Sequence, residues 1–63
     1  MVVVELKNWQ DDNNLYVELA AKVNGAYTTY TKDFPLSHNL QDAIDFCLAE
    51  FNNANSGIFI LAS

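Results

Sequence analysis

The alternation of apolar and polar residues predicts most of the secondary structure of this chain. Residues 15–23 alternate cleanly, which is the pattern of a strand with one buried face. Residues 2–7 are β-branched and partly alternating, and they predict an earlier strand. The polar run at residues 10–14 separates the two, and we expect it to form a loop.

Asn24-Gly25 follows the alternating segment directly and predicts a tight hairpin. Both central positions of a type I′ turn need positive φ, and Asn-Gly supplies it. Folding the chain there pairs Val23 with Ala26 and Leu19 with Tyr30. A third strand should therefore run over about residues 26–33, and Pro35 should end it because proline donates no ladder hydrogen bond.

A helical repeat begins after Asn39. Apolar residues recur at i, i+3, i+4, i+7, i+8 and i+11, namely Leu40, Ala43, Ile44, Cys47, Leu48 and Phe51. The spacing predicts an amphipathic helix, with Asn39 as the N-cap and Ser37 as the competing cap. The polar run from residue 52 should end it, and the apolar run 57–62 predicts a short buried strand.

These elements predict one α+β domain over residues 1–63, since so short a chain holds a single core. We expect a small antiparallel sheet of about four strands, in the order β-β-β-α-β, with the helix packed on one face. The side chains expected under the helix are Val2, Val4, Leu6, Leu15, Val17, Leu19 and Val23. The uncovered face should carry Val3, Trp9, Tyr16, Ala20 and Tyr27, and aromatic residues of this kind are enriched in protein interfaces.

The charge of the chain narrows the choice of partners. The net charge is −5, there are three lysines and no arginine, and no lysine follows residue 32. Direct binding to nucleic acid or to acidic lipid is disfavoured, because Lys and Arg supply most of that affinity. Cys47 is the single cysteine, so the fold has no internal disulfide, and no run is long enough to span a membrane. We expect a cytoplasmic protein.

The residue types that carry chemistry are few. His38 has no nucleophile and orienting acid fixed beside it, and Cys47 lies within the apolar stripe, where thiols stay inert. Asp11-Asp12-Asn13-Asn14 opens like a calcium loop, but Leu15 takes a ligand position and no glycine follows. We expect no catalytic residue, no metal site and no cofactor.

The outer side of the predicted helix is acidic. Asp42, Asp45 and Glu50 lie on it or beside it, with no compensating base, and Phe46 lies off the buried stripe. One interpretation is a solvated face. The other is an acidic surface with a hydrophobic anchor that docks on the basic groove of a nucleic-acid-binding protein.

The order of predicted elements over residues 16–60 is also found in known small proteins. A hairpin leads to a helix start that reads Ser37-His38-Asn39-Leu40-Gln41-Asp42-Ala43, and a final strand follows. This outline resembles the small phage-encoded inhibitors of bacterial RNA polymerase, small acidic anti-CRISPR proteins and, in its sheet followed by a helix, HicB-type antitoxins. The resemblance implies a phage or mobile-element protein that blocks a basic channel as a DNA mimic.

Two function classes follow from these observations. The leading hypothesis is a non-catalytic inhibitor that binds a host protein with a basic groove in the host cytoplasm. Its candidate binding residues are Asp42, Asp45, Phe46 and Glu50 on the helix, and Trp9, Tyr16 and Tyr27 on the open sheet face. The alternative is a homodimeric regulatory or structural module of the antitoxin type, which buries the open face or pairs an edge strand.

Overall fold

The structure is a computed structural model that describes residues 2–55 and 59–61. The chain forms β1 (Val2–Gln10), β2 (Asn14–Val23), β3 (Ala26–Pro35), α1 (Leu40–Asn55) and β4 (Phe59–Leu61). The strands lie in the order β3-β2-β1-β4. In this order β2 and β1 are central, and β3 forms one edge of the sheet.

The predicted combination of an antiparallel sheet and one helix is confirmed for three strands. β1 pairs with β2, and β2 with β3, both antiparallel. The prediction of about four antiparallel strands is wrong, because β4 pairs with β1 in parallel. The reason lies in chain direction: β3 runs the same way as β1, α1 returns, and β4 therefore runs along β1 again. Residues 57, 58 and 62 of the predicted last strand lie outside the described residues.

The predicted hairpin is confirmed. Asn24 has φ of 52° and Gly25 has φ of 83°, the positive values that a type I′ turn requires. Val23 lies opposite Ala26, and Leu19 lies opposite Tyr30. β3 nevertheless continues to Pro35, two residues beyond the predicted end.

One buried cluster joins the sheet and the helix. Its members are Val4, Leu15, Val17, Leu19, Ala21, Phe34, Ala43, Ile44, Cys47 and Phe51, with Leu6, Val23, Tyr30 and Leu48 packed against it. The strand side that contributes to this cluster is the core face, and the opposite side is the open face. Val2 was also predicted to lie under the helix, but its side chain is not among those that the structure describes.

Three side chains differ from the predicted pattern. Phe34 is buried, because the longer β3 places it opposite Leu15 on the core face. Leu40 is 41% exposed, although it belongs to the apolar stripe of α1. Ala20 lies on the open face as predicted, but its neighbours cover it to 8% exposure.

The start of α1 agrees with the cap predicted at Asn39. The backbone N–H of Asp42 donates to Asn39 Oδ1 at 3.1 Å, and α1 begins at the next residue, Leu40. This bond satisfies one of the N–H groups that a helix leaves unpaired in its first turn. The cap therefore fixes the residue at which α1 begins.

Candidate interaction surfaces

The acidic helix face consists of Asp42, Asp45, Phe46 and Glu50. Asp42, Phe46 and Glu50 follow one another at i, i+4 and i+8, so they form a line along α1. All four residues are exposed, and the sequence of α1 contains no basic residue. Gln41 Nε2 donates to Asp45 Oδ1 at 3.0 Å, which orients that carboxylate along the helix surface.

Phe46 is less isolated than the sequence predicts. Its ring is 45% exposed and meets Phe34 edge-on, with centroids 6.1 Å apart and planes at 87°. Lys32 Nζ lies 5.7 Å from the Phe46 centroid and 5.6 Å from that of Phe34. β3 therefore brings Lys32 beside Phe46, where its ammonium makes cation–π contacts with both rings.

The open face is built from cross-strand rows. Trp9 lies opposite Tyr16 and Tyr16 opposite Asp33, while at the other end Lys22 lies opposite Tyr27. The rings of Trp9 and Tyr16 stack with centroids 5.4 Å apart and planes at 14°. Trp9 is 43% exposed and Tyr27 is 66% exposed. Both rings therefore offer apolar area to a partner.

The predicted aromatic residues do not form one patch. Tyr16 and Tyr27 lie in rows separated by six residues of β2, which corresponds to about 20 Å along a strand. The rows between them are mainly charged and polar, and a shallow depression there is lined by Glu5, Lys7, Glu18, Ala20 and Tyr27. The open face thus has an aromatic pair at one end, a single tyrosine at the other, and mixed charge between.

Asp11 organises the turn next to the aromatic pair, a role that was not predicted for it. Its Oδ1 accepts the backbone N–H groups of Asn13 and Asn14, both at 2.8 Å, as in an Asx turn. The hydroxyl of Tyr16 donates to Asp11 Oδ2 at 2.7 Å. The Asp-x-Asn spacing of residues 11–13 was the sequence signal for this turn. Asp11 is also the first residue of the calcium-like pattern, and its carboxylate oxygens accept these three hydrogen bonds.

Asp11 and Tyr16 form a hydrogen bond, and the pKa values of their side chains shift in opposite directions. The N–H of Asn13, followed by the Tyr16 hydroxyl and the N–H of Asn14, lowers the pKa of the Asp11 carboxyl. The hydrogen bond to Asp11 raises the pKa of the Tyr16 hydroxyl, and the nearby charges of Asp11 and Asp33 act the same way. The ionised carboxylate and the neutral phenol therefore favour the observed turn.

We expect the Asp11→Asn variant to lose stability near neutral pH and to lose less in acid. A carboxyl whose pKa is lower in the folded state stabilises the fold above its unfolded-state pKa, and this contribution disappears as the pH falls through the folded value. Thermal melts from neutral pH to below about pH 4, the ordinary range of an aspartate, should show the two melting temperatures converging. Asp12→Asn is the matched control, and a difference that does not change with pH would contradict the assignment.

The two residues considered for catalysis, Cys47 and His38, lie in different environments. Cys47 is fully buried in the core cluster, as predicted, and burial raises the pKa of its thiol. His38 is exposed, and its ring tilts against Phe34 with centroids 4.8 Å apart. Within residues 2–55 and 59–61, the structure brings no three His, Cys, Asp or Glu side chains together as a metal site.

The comparisons with known proteins add no family. The chain matches no protein-family model, no curated protein and no solved structure. In the part of the chain that the structure describes, no helix combines the length and apolar character needed to cross a membrane.

Proposed function

We propose that this chain is a non-catalytic protein-binding inhibitor that docks its acidic helix face on the basic groove of a nucleic-acid-handling protein. The observation that carries the proposal is the line of Asp42, Phe46 and Glu50, with Asp45 beside it, on a helix without any base. Carboxylates in a line can occupy positions that phosphates take in such a groove. The protein acts as a mimic of DNA or RNA in this proposal.

Phe46 supplies the apolar part of the interface. Its exposed ring lies between Asp42 and Glu50, and interface energies concentrate in central aromatic anchors surrounded by polar groups. The Phe34 and Lys32 contacts hold the ring in place, so less side-chain entropy is lost when a partner covers it. The open face, with Trp9, Tyr16 and Tyr27, is the alternative binding surface, on the opposite side of the sheet from the helix.

The size and the net charge of the chain support an inhibitor that enters a basic channel. A chain of 63 residues with a net charge of −5 is attracted to a basic channel from a distance, and it is small enough to enter one. In the proposal the protein is encoded by a phage or mobile element and works in the host cytoplasm. Its targets are of the RNA polymerase or CRISPR effector type.

Stoichiometric inhibition tests the proposal directly. The purified chain is added to transcription by bacterial RNA polymerase and to DNA cleavage by an RNA-guided nuclease. We expect one reaction to stop near equimolar protein and to recover as salt is raised, because screening weakens exposed charge pairs. A variant with Asp42→Asn, Asp45→Asn and Glu50→Gln should inhibit at least roughly tenfold less, which corresponds to about 1.4 kcal/mol.

The matched control removes the same number of charges elsewhere. The variant with Glu5→Gln, Asp12→Asn and Asp33→Asn changes the net charge equally but leaves the helix intact. It should inhibit like the wild type if local charge matters. Equal losses in both variants would show that only net charge acts, and inhibition of neither reaction would refute the proposed target class.

A further inference from the structure

Among the described residues, no strand pairs with the outer edge of β3, so that edge presents free backbone groups over most of its length. In a two-residue hairpin, Val23 and Ala26 form a hydrogen-bonded pair, and the pairs then alternate along the ladder. Every second residue of β3 therefore directs its N–H and C=O away from β2: Tyr27, Thr29, Thr31 and Asp33. The bond from Asp11 N–H to Asn14 O at 3.0 Å fits this alternation, because it places the even residues of β2 toward β1.

The structure leaves this edge unusually open. Natural edge strands are shortened, bulged, or protected by lysine and proline. β3 is ten residues long, its register with β2 runs without a skipped residue, and its proline is the last residue. Lys32 points its ammonium over the rings of Phe34 and Phe46 on the core side instead of guarding the edge. The opposite edge strand, β4, covers three residues in the described part of the chain, Phe59–Leu61.

We propose that β3 is a dimerisation strand: two copies of this chain join their β3 strands antiparallel about a two-fold axis at Tyr30, which makes one continuous sheet. This register pairs every outward-directed residue with another. Thr29 lies opposite Thr31 of the second copy, and Tyr27 lies opposite its Asp33. A shift of the axis to Thr29 or Thr31 would place Gly25 or Pro35 opposite a strand residue, which shortens the ladder.

The side chains suit a second copy in this register. Tyr27 can donate its hydroxyl to the Asp33 carboxylate, and Thr29 with Thr31 is a favourable cross-strand pair. Lys32 lies opposite Thr28, so no like charges face each other across the axis. A two-fold interface requires this kind of self-complementarity, since each contact occurs twice.

The length of β3 suits such a ladder. A ten-residue strand is about 33 Å long, and the axis at Tyr30 keeps residues 26–34 of both copies opposite each other. The half-exposed Phe46 borders this edge through its contact with Phe34 of β3 and adds apolar area.

Sedimentation equilibrium tests self-association and its location. From micromolar to millimolar concentration, the mass of the wild type should rise from 7.1 kDa toward twice that value. The Thr29→Pro variant removes an outward N–H and should remain a monomer while its circular dichroism keeps the native form. A wild type that stays monomeric at millimolar concentration, or a Thr29→Pro variant that dimerises equally, would overturn the proposal.

Cross-linking tests the register. In a Cys47→Ala background, Tyr30→Cys should form a covalent dimer on mild oxidation. A residue on the axis meets its own copy in a non-hydrogen-bonded pair with Cα atoms about 4.5 Å apart, within disulfide range. Thr28→Cys is the matched control, because its copies lie about 13 Å apart along the strand. Cross-linking of Thr28→Cys in preference to Tyr30→Cys would refute the axis at Tyr30.

Self-pairing goes beyond the proposed inhibition and can fail separately from it. Each copy carries a net charge of −5, so two copies repel each other and dimerisation should strengthen with added salt. Inhibition through a basic groove should weaken with salt. Thr29→Pro should therefore abolish the dimer and retain inhibition, whereas the helix-face variant should lose inhibition and retain the dimer.

Discussion

We expect the Phe51→Ala variant to be largely unfolded at room temperature. Phe51 is 1% exposed and is the largest fully buried side chain among those that the structure describes. Removing a buried phenylalanine ring lowers the free energy of unfolding by roughly 3 to 5 kcal/mol. A chain of 63 residues has about 3 to 9 kcal/mol in total, by typical values per residue. Far-ultraviolet circular dichroism and a urea titration would measure the loss.

Phe46→Ala is the matched control for this prediction. It makes the same chemical change in the same helix, five residues earlier, at a ring that is 45% exposed. The edge contact with Phe34 and the cation–π contact with Lys32 are each worth about 1 kcal/mol, so the fold should persist. Equal destabilisation by the two substitutions would mean that Phe51 does not form the centre of the core.

The local features of this fold could be predicted because each depends on neighbouring residues. The hairpin register follows from Asn24-Gly25 and the alternation before it, and both predicted pairs, Val23 with Ala26 and Leu19 with Tyr30, occur. The cap at Asn39 and the burial of Cys47 follow from helical spacing alone. Such signals need only the period of the element and the chemistry of its ends.

The strand order and the direction of β4 could not be predicted, because they depend on where α1 returns the chain. The same limit hid the contact between Lys32 and Phe46, which joins residues fourteen positions apart in different elements. It also hid the bond between Asp11 and Tyr16, because the polar run at residues 10–14 gave no indication that β1 reaches Gln10. The candidate surfaces were therefore predicted as sets of residues, while their internal contacts required the fold.

One consequence of the strand order is that proline should be far more damaging at Ala20 than at Thr29, although the two residues lie opposite each other. Ala20 belongs to the central strand, and its N–H faces Glu5 of β1 in a hydrogen-bonded pair. Ala20→Pro removes this N–H and leaves the carbonyl of Glu5 without its partner, which lowers the free energy of unfolding by about 1 to 3 kcal/mol. It also forces a ring into a site with 8% exposure, at about 1 to 3 kcal/mol more.

Thr29→Pro removes only an N–H that points off the sheet, a position where edge strands accept proline. We expect a loss of roughly 1 kcal/mol or less for this variant, against near-complete unfolding for Ala20→Pro. Urea titrations should be made at low micromolar protein, so that self-association through β3 does not add to the stability of the wild type. If both prolines destabilised the chain equally, β3 would have a further strand-like neighbour, and the free edge on which self-pairing depends would not exist.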